Sequence, residues 1–203
     1  MRPVPTPCHP SVALPGRPPQ TRSETPPSTV FHTLCLAVWL SVAGCSPALD
    51  WRDVAWPDSG VTIQMPCKPK AHARELPVAG LTTKVTVVAC QAQNMTFALS
   101  WADVGDPVRV GPALQEWRDA AKSNLGAQAQ PVSAKPIPGA TPHDQAGRWA
   151  LAGRSPQGEA RQSEVVLAVR GTRVVQVTML GAAWDTEAAD NFLGSLRFQS
   201  GSS

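Results

Sequence analysis

Between residues 58 and 200 the apolar positions keep first a strand period and then a helix period, twice over. Val61, Ile63 and Met65 alternate with Thr62 and Gln64, and Met95, Phe97, Leu99 and Trp101 alternate with Thr96, Ala98 and Ser100, the two-residue repeat of strands buried on one face. Val85, Val87 and Ala89 carry that repeat between them. Residues 72–78 and 81–91 flank Ala79-Gly80, which reads as a two-residue hairpin turn with glycine supplying the positive φ, and Ala92-Gln93-Asn94 reads as the next turn. The first half is expected as an antiparallel meander.

Behind Pro112, Leu114, Trp117, Ala121 and Leu125 recur at helical spacing with Glu116, Asp119 and Lys122 off the stripe, which predicts a helix lying on a sheet. Residues 126–141 mix Gly, Pro, Gln and Ala without a period and are expected as a long mobile connection with a short strand at 130–133. Strands follow at 147–153, 159–170 and 173–180, the last two joined by Gly171-Thr172 in a type II′ turn. Asp185 or Thr186 then caps a helix whose Ala189, Phe192, Leu193 and Leu196 form one stripe, and 197–199 closes as a short strand. These elements predict an α+β domain over 58–200, an antiparallel β-sheet with two main helices packed on it.

The chain before that domain is of another kind. The first 29 residues hold nine of the 21 prolines, so no helix or strand runs far through them. They read as a disordered leader, or as the product of a start placed too far upstream. Residues 30–44 are an apolar run of 15, short of the roughly 20 that cross a bilayer and suited to the core of a signal peptide. Val42-Ala43-Gly44-Cys45 at its end resembles the lipobox of bacterial lipoproteins. That resemblance implies cleavage between Gly44 and Cys45, a diacylglyceryl group on the Cys45 thiol and a further acyl chain such as palmitate on its amine. One acyl chain holds a protein only marginally, whereas several hold it stably. Ser46 resembles the next residue of lipoproteins sorted to the outer membrane. The expected protein is exported and lipid-anchored to that membrane facing the periplasm, with 45–57 as tether and an envelope protein as possible further partner. An uncleaved single-pass anchor is the alternative.

Of five cysteines, Cys8 and Cys35 leave with the leader and Cys45 is acylated, so Cys67 and Cys90 remain. Export brings oxidising conditions. A hairpin centred on Ala79-Gly80 sets residue 69 opposite Cys90 and Cys67 two positions further, within reach of the roughly 5.5 Å Cα separation that a bridge needs. A Cys67–Cys90 disulfide is expected, with two buried free thiols as the alternative.

Net charge is +3 for the whole chain. From Cys45 onward fifteen basic residues meet fourteen acidic ones, which gives nucleic acid no electrostatic footprint. His72 and His143 are the histidines left after cleavage. Ser155, in Gly153-Arg154-Ser155-Pro156-Gln157-Gly158, lacks the spacing of a nucleophile elbow and fits a turn. Asp103 and Asp106 suggest half a Ca²⁺ site but fit a turn better. His143-Asp144 in the long connection is the one pair from which a hydrolase could be built. No catalytic residue, metal ligand or cofactor is assigned. Trp51 and Trp56 in the tether are expected to dock on the domain, and Trp184 to staple the last helix.

Three stretches carry a family resemblance: Gly-Val-Thr-Ile-Gln-Met-Pro-Cys-Lys-Pro at residues 60–69, Gly-Thr-Arg-Val-Val-Gln-Val at 171–177, and Asn-Phe-Leu-Gly-Ser-Leu-Arg-Phe at 191–198. Together with the element order they resemble small secreted bacterial proteins with a PsbP-like fold. The resemblance implies an antiparallel sheet with helices on it and a non-catalytic binding or accessory role.

Overall fold

The computed structural model describes residues 49–200; the leader, the apolar run and Cys45 lie outside them. In chain order the elements are β1 (Arg52–Trp56), a 3-10 turn (Pro57–Ser59), β2 (Val61–Met65), β3 (Lys70–Val78), β4 (Leu81–Ala92), β5 (Met95–Asp103), α1 (Pro107–Leu125), β6 (Ala129–Val132), β7 (Gly147–Arg154), β8 (Ala160–Arg170), β9 (Arg173–Gly181), α2 (Thr186–Gly194) and β10 (Arg197–Phe198). The architecture is α+β. A seven-stranded sheet runs β3-β4-β5-β9-β8-β7-β6, and a three-stranded one runs β1-β2-β10, with antiparallel pairing throughout. The β5–β9 pairing therefore joins two meanders side by side.

In the middle of the large sheet, Val165, Val166, Leu167, Ala168 and Val169 of β8 are all buried, so both faces need cover. On one face α1 supplies it: Val110, Ala113, Leu114 and Leu125 pack with Val85, Ala102, Val165, Leu167, Val169 and Val174. On the other face Val61, Ile63 and Met65 of β2 and Phe192 and Leu193 of α2 pack with Val88, Phe97, Leu99, Trp101, Val166, Val175, Val177 and Met179. Burying a single one of these side chains contributes roughly 1.5–3 kcal/mol relative to exposure.

Both hairpin turns of the first meander hold two residues at positive φ, which Gly80 and Asn94 adopt readily and which Ala79 and Gln93 adopt at a cost of roughly 1 kcal/mol each. Ala79 and Gly80 have φ of 49° and 75°, and Gln93 and Asn94 have 49° and 60°, as a type I′ turn requires. Ala92 pairs with Met95, so the second turn has two residues and not the three expected. The burial phase of β4 also differs from the sequence reading. Val85 is buried beneath α1, but Val88 and Cys90 are buried on the opposite face while Val87 and Ala89 stay half-buried. The helix reaches only the start of this outlying strand, and the β2 and α2 layer covers its later half.

Helix α1 begins five residues before Pro112. The Asp106 carboxylate accepts the Val108 N–H at 3.0 Å, and Pro107 takes a first-turn position where no donor is needed. Pro112 thus sits inside the helix, tolerated because it and Val108, whose carbonyl loses a donor, are exposed to water. The expected tether, 45–57, is also corrected. Its residues 52–56 are β1, paired from Arg52↔Met65 to Trp56↔Val61, because Val54 and Trp56 share one strand face and pack on the core. Trp51 does dock, its ring meeting Phe97 edge-on at 6.3 Å.

Gly153 of β7 lies directly under the end of α1, and a Cβ there would fall 2.1 Å from the Leu125 carbonyl oxygen. Gly153→Ala is expected to lower the urea-unfolding free energy by about 3 kcal/mol, at the upper end of overpacking effects. Gly194→Ala, where nothing lies within 4 Å, is expected to leave it unchanged or slightly higher.

Candidate functional site

A cavity of about 920 Å³ lies where the connection 133–146 crosses the edge of the sheet toward α2. Its floor is Val166, Leu167 and Ala168 of β8, one wall is Leu193, Gly194 and Leu196, and the other is the connection itself, from Ser133 through Pro138 to His143. That connection was expected to be mobile, and the structure ties it down. Phe198 donates its N–H to the Pro138 carbonyl at 2.9 Å, Thr141 donates to the Val169 carbonyl at 2.7 Å, and Ile137 and Ala140 pack on the core. Its short strand lies one residue earlier than expected, at Ala129–Val132.

Charge enters the cavity through Arg148. Near the start of β7 its side chain points to the α2 face, and it donates to Glu164 of β8 and, at 3.0 Å, to Asp190 of α2. The Arg148 and Glu164 side chains are only 12% and 14% exposed. Burial works against the guanidinium charge, but the two carboxylates outweigh it, so Arg148 is held more firmly protonated than an ordinary arginine. The cavity thus combines apolar walls with one fixed ionic cluster in which a single arginine bridges two carboxylates. Lys135 also lines it.

His143 lines the cavity and is committed to the loop. Its Nδ1 accepts the Gln145 N–H at 3.1 Å, and its ring lies against Gly111 of α1. Gln145 in turn accepts from Arg118 at 2.8 Å, whose guanidinium stacks 5.2 Å above Trp149. Asp144 is exposed, and among the described residues no carboxylate or hydroxyl is hydrogen-bonded to His143. Ser155 sits in the β7–β8 turn, its N–H donating to Glu159. His72 is exposed on β3. Trp184 packs on the core beside α2.

The two aspartates suggested as half a Ca²⁺ site are separately engaged. Asp106 caps α1, while Asp103 accepts from Thr172 at 2.7 Å and from the Gly105 N–H at 3.0 Å, with Arg173 at 3.6 Å. The Thr172 hydroxyl, the largest influence, holds the Asp103 carboxyl below its ordinary value of 3.8; burial opposes it, and the Gly105 N–H and Arg173 add smaller lowering effects.

Cys67 and Cys90 form a disulfide with Cα atoms 5.9 Å apart. The hairpin register that pairs Lys70 with Ala89 brings them together, as the Ala79-Gly80 turn predicts. Gly44 and Cys45 lie outside the described residues.

No family model and no curated protein matches the chain. Among solved structures it is similar to the solution structure of cyanobacterial PsbP (CyanoP) from Synechocystis sp. PCC 6803, at 12% sequence identity and a TM-score of 0.41, over 78% of this chain and 97% of that one. The α+β architecture itself stands on the pairings described above.

The Arg148 cluster escaped the sequence reading. Its signal was two charged residues at the heads of apolar strand runs, Arg148 before Trp149 and Glu164 before Val165. Arg148→Met is expected to lower stability by about 3 kcal/mol because Glu164 loses its partner while largely buried, and adding Glu164→Met should restore part of that loss; urea unfolding of both variants is the check. Thr172→Val is expected to cost less than about 1 kcal/mol near neutral pH, since Asp103 is half-exposed. A carboxyl with a lowered folded pKa stabilises above its unfolded pKa and stops doing so as pH falls through the folded one. The difference between wild type and Thr172→Val should therefore shrink progressively as pH falls below the ordinary Asp value of 3.8, as read by thermal melts across acid pH.

Proposed function

We propose that the protein is a lipid-anchored cell-envelope module, tethered through acylated Cys45, that binds a ligand or partner and catalyses no reaction. The observation that carries this reading is the lipobox-like Val42-Ala43-Gly44-Cys45 followed by a domain folded around a Cys67–Cys90 bridge, since such bridges persist in exported proteins. The cavity beside Arg148 supports a binding role, because its volume falls within the roughly 300–1,000 Å³ of small-molecule sites and its walls are apolar with a few fixed polar groups. The hydrolase alternative would need a base and a nucleophile in hydrogen-bond reach, whereas the Nδ1 of His143 is already engaged by Gln145. No helix among the described residues is long and apolar enough to cross a membrane.

The experiment is fractionation of a Gram-negative host expressing the full chain. Wild type is expected in the membrane fraction through high-salt and alkaline washes, and Cys45→Ser is expected to lose processing at Gly44 and to keep its leader. Wild type and Cys45→Ser with the same unprocessed mass in the membrane would contradict the lipoprotein reading and favour the uncleaved anchor.

A further inference from the structure

The place where the chain leaves the domain has a distinctive charge. Asp50 donates its N–H to the Pro66 carbonyl at 2.9 Å, which fixes residue 50 beside Pro66 and the Cys67 bridge. Cys45 is five residues before Asp50, a reach of at most about 18 Å for an extended chain. Immediately past that corner come Lys68 and then β3, the edge strand of the large sheet. Every residue of β3 but Val78 is exposed. Lys70, His72 and Arg74 stand on one face of it two residues apart.

This ribbon concentrates positive charge. Residues 68–84 hold Lys68, Lys70, Arg74 and Lys84 against Glu75 alone, while the rest of the chain from Cys45 on holds eleven basic and thirteen acidic residues. None of those four cations has an ion-pair partner among the described residues. Glu75 is paired in register with Lys84, which leaves Lys68, Lys70 and Arg74 uncompensated next to the tether.

We infer that the β3 edge is a second membrane contact, a basic strip that lies on anionic phospholipid headgroups and orients the anchored domain. The inference rests on acylation of Cys45, which would hold this corner within about a tether length of the bilayer. An acyl anchor alone leaves the domain free to rotate; basic side chains within a Debye length of an anionic surface, about 8–10 Å, fix one face toward it. The cavity opens by β8 and β7, four and five strands across the sheet from β3, or about 20 Å away at normal strand spacing. Seating β3 on the headgroups therefore turns the cavity toward the aqueous compartment. Charges on an edge strand also prevent edge-to-edge pairing between copies, and the experiment separates that role from membrane contact.

The test uses the protein purified from the membrane fraction and reconstituted in vesicles of phosphatidylcholine alone or of phosphatidylcholine with phosphatidylglycerol. Amine acylation by a water-soluble reagent, read by mass spectrometry, is expected to slow several-fold at Lys68 and Lys70 on the anionic vesicles but not at Lys122 or Lys135, and high salt should abolish the difference. Equal rates on both vesicles would overturn the inference and leave the charges as an edge guard. Failure to float with neutral vesicles would count against the anchor alone. Flotation then decides for the strip: salt-sensitive binding to anionic vesicles that falls at least tenfold in the Lys68→Gln, Lys70→Gln, Arg74→Gln variant supports it, and no binding to either vesicle overturns it.

Discussion

Val165, Val166, Leu167, Ala168 and Val169 leave β8 no face that water can solvate, and every larger feature of the domain answers that constraint. Helix α1 covers one side, while β2 and α2 cover the other. The second cover comes from segments far apart in sequence, since β10 pairs with β2 and the two ends of the domain share one layer. Trp51 against Phe97, and Phe97 against Phe192 at 5.2 Å, run through that layer as a chain of edge-on aromatic contacts. Such contacts add to the burial of the rings themselves.

The cover is incomplete at the far edge of the sheet, and the cavity arises there. Helix α2 is only nine residues long, so it cannot extend over β7, and the connection 133–146 passes across the gap instead. A buried arginine is tolerable at that margin because Glu164 and Asp190 reach it from two different elements. At the opposite edge β3 has no helix over it and remains polar. The two edges of one sheet thus have different chemistry, one holding a partly apolar cavity and the other a line of cations.

Much of the fold was legible in the sequence because its strands obey a strict period. The alternations at Val61, Ile63, Met65 and from Met95 to Trp101 gave buried faces correctly, and Ala79-Gly80 set the register that joins Cys67 to Cys90. The helix start was misread because Pro112 looked like a first-turn proline, although Pro107 behind Asp106 fits that position better. β1 was missed because a lone Val54 and Trp56 are too few to show a period. The Arg148 cluster was missed because its partners lie 16 and 42 residues away, a proximity that only the strand pairing and the placement of α2 create. The lipobox-like Val42-Ala43-Gly44-Cys45, by contrast, is a local sequence pattern and lies outside the described residues.

The most direct test of the account is the intact mass and N-terminal peptide of the protein from the membrane fraction, taken before and after reduction. The expected result is a chain beginning at an acylated Cys45 whose mass rises by about two daltons on reduction, as one disulfide requires. A chain that retains residues before Cys45 and does not change mass on reduction would contradict both the anchor and the oxidised domain.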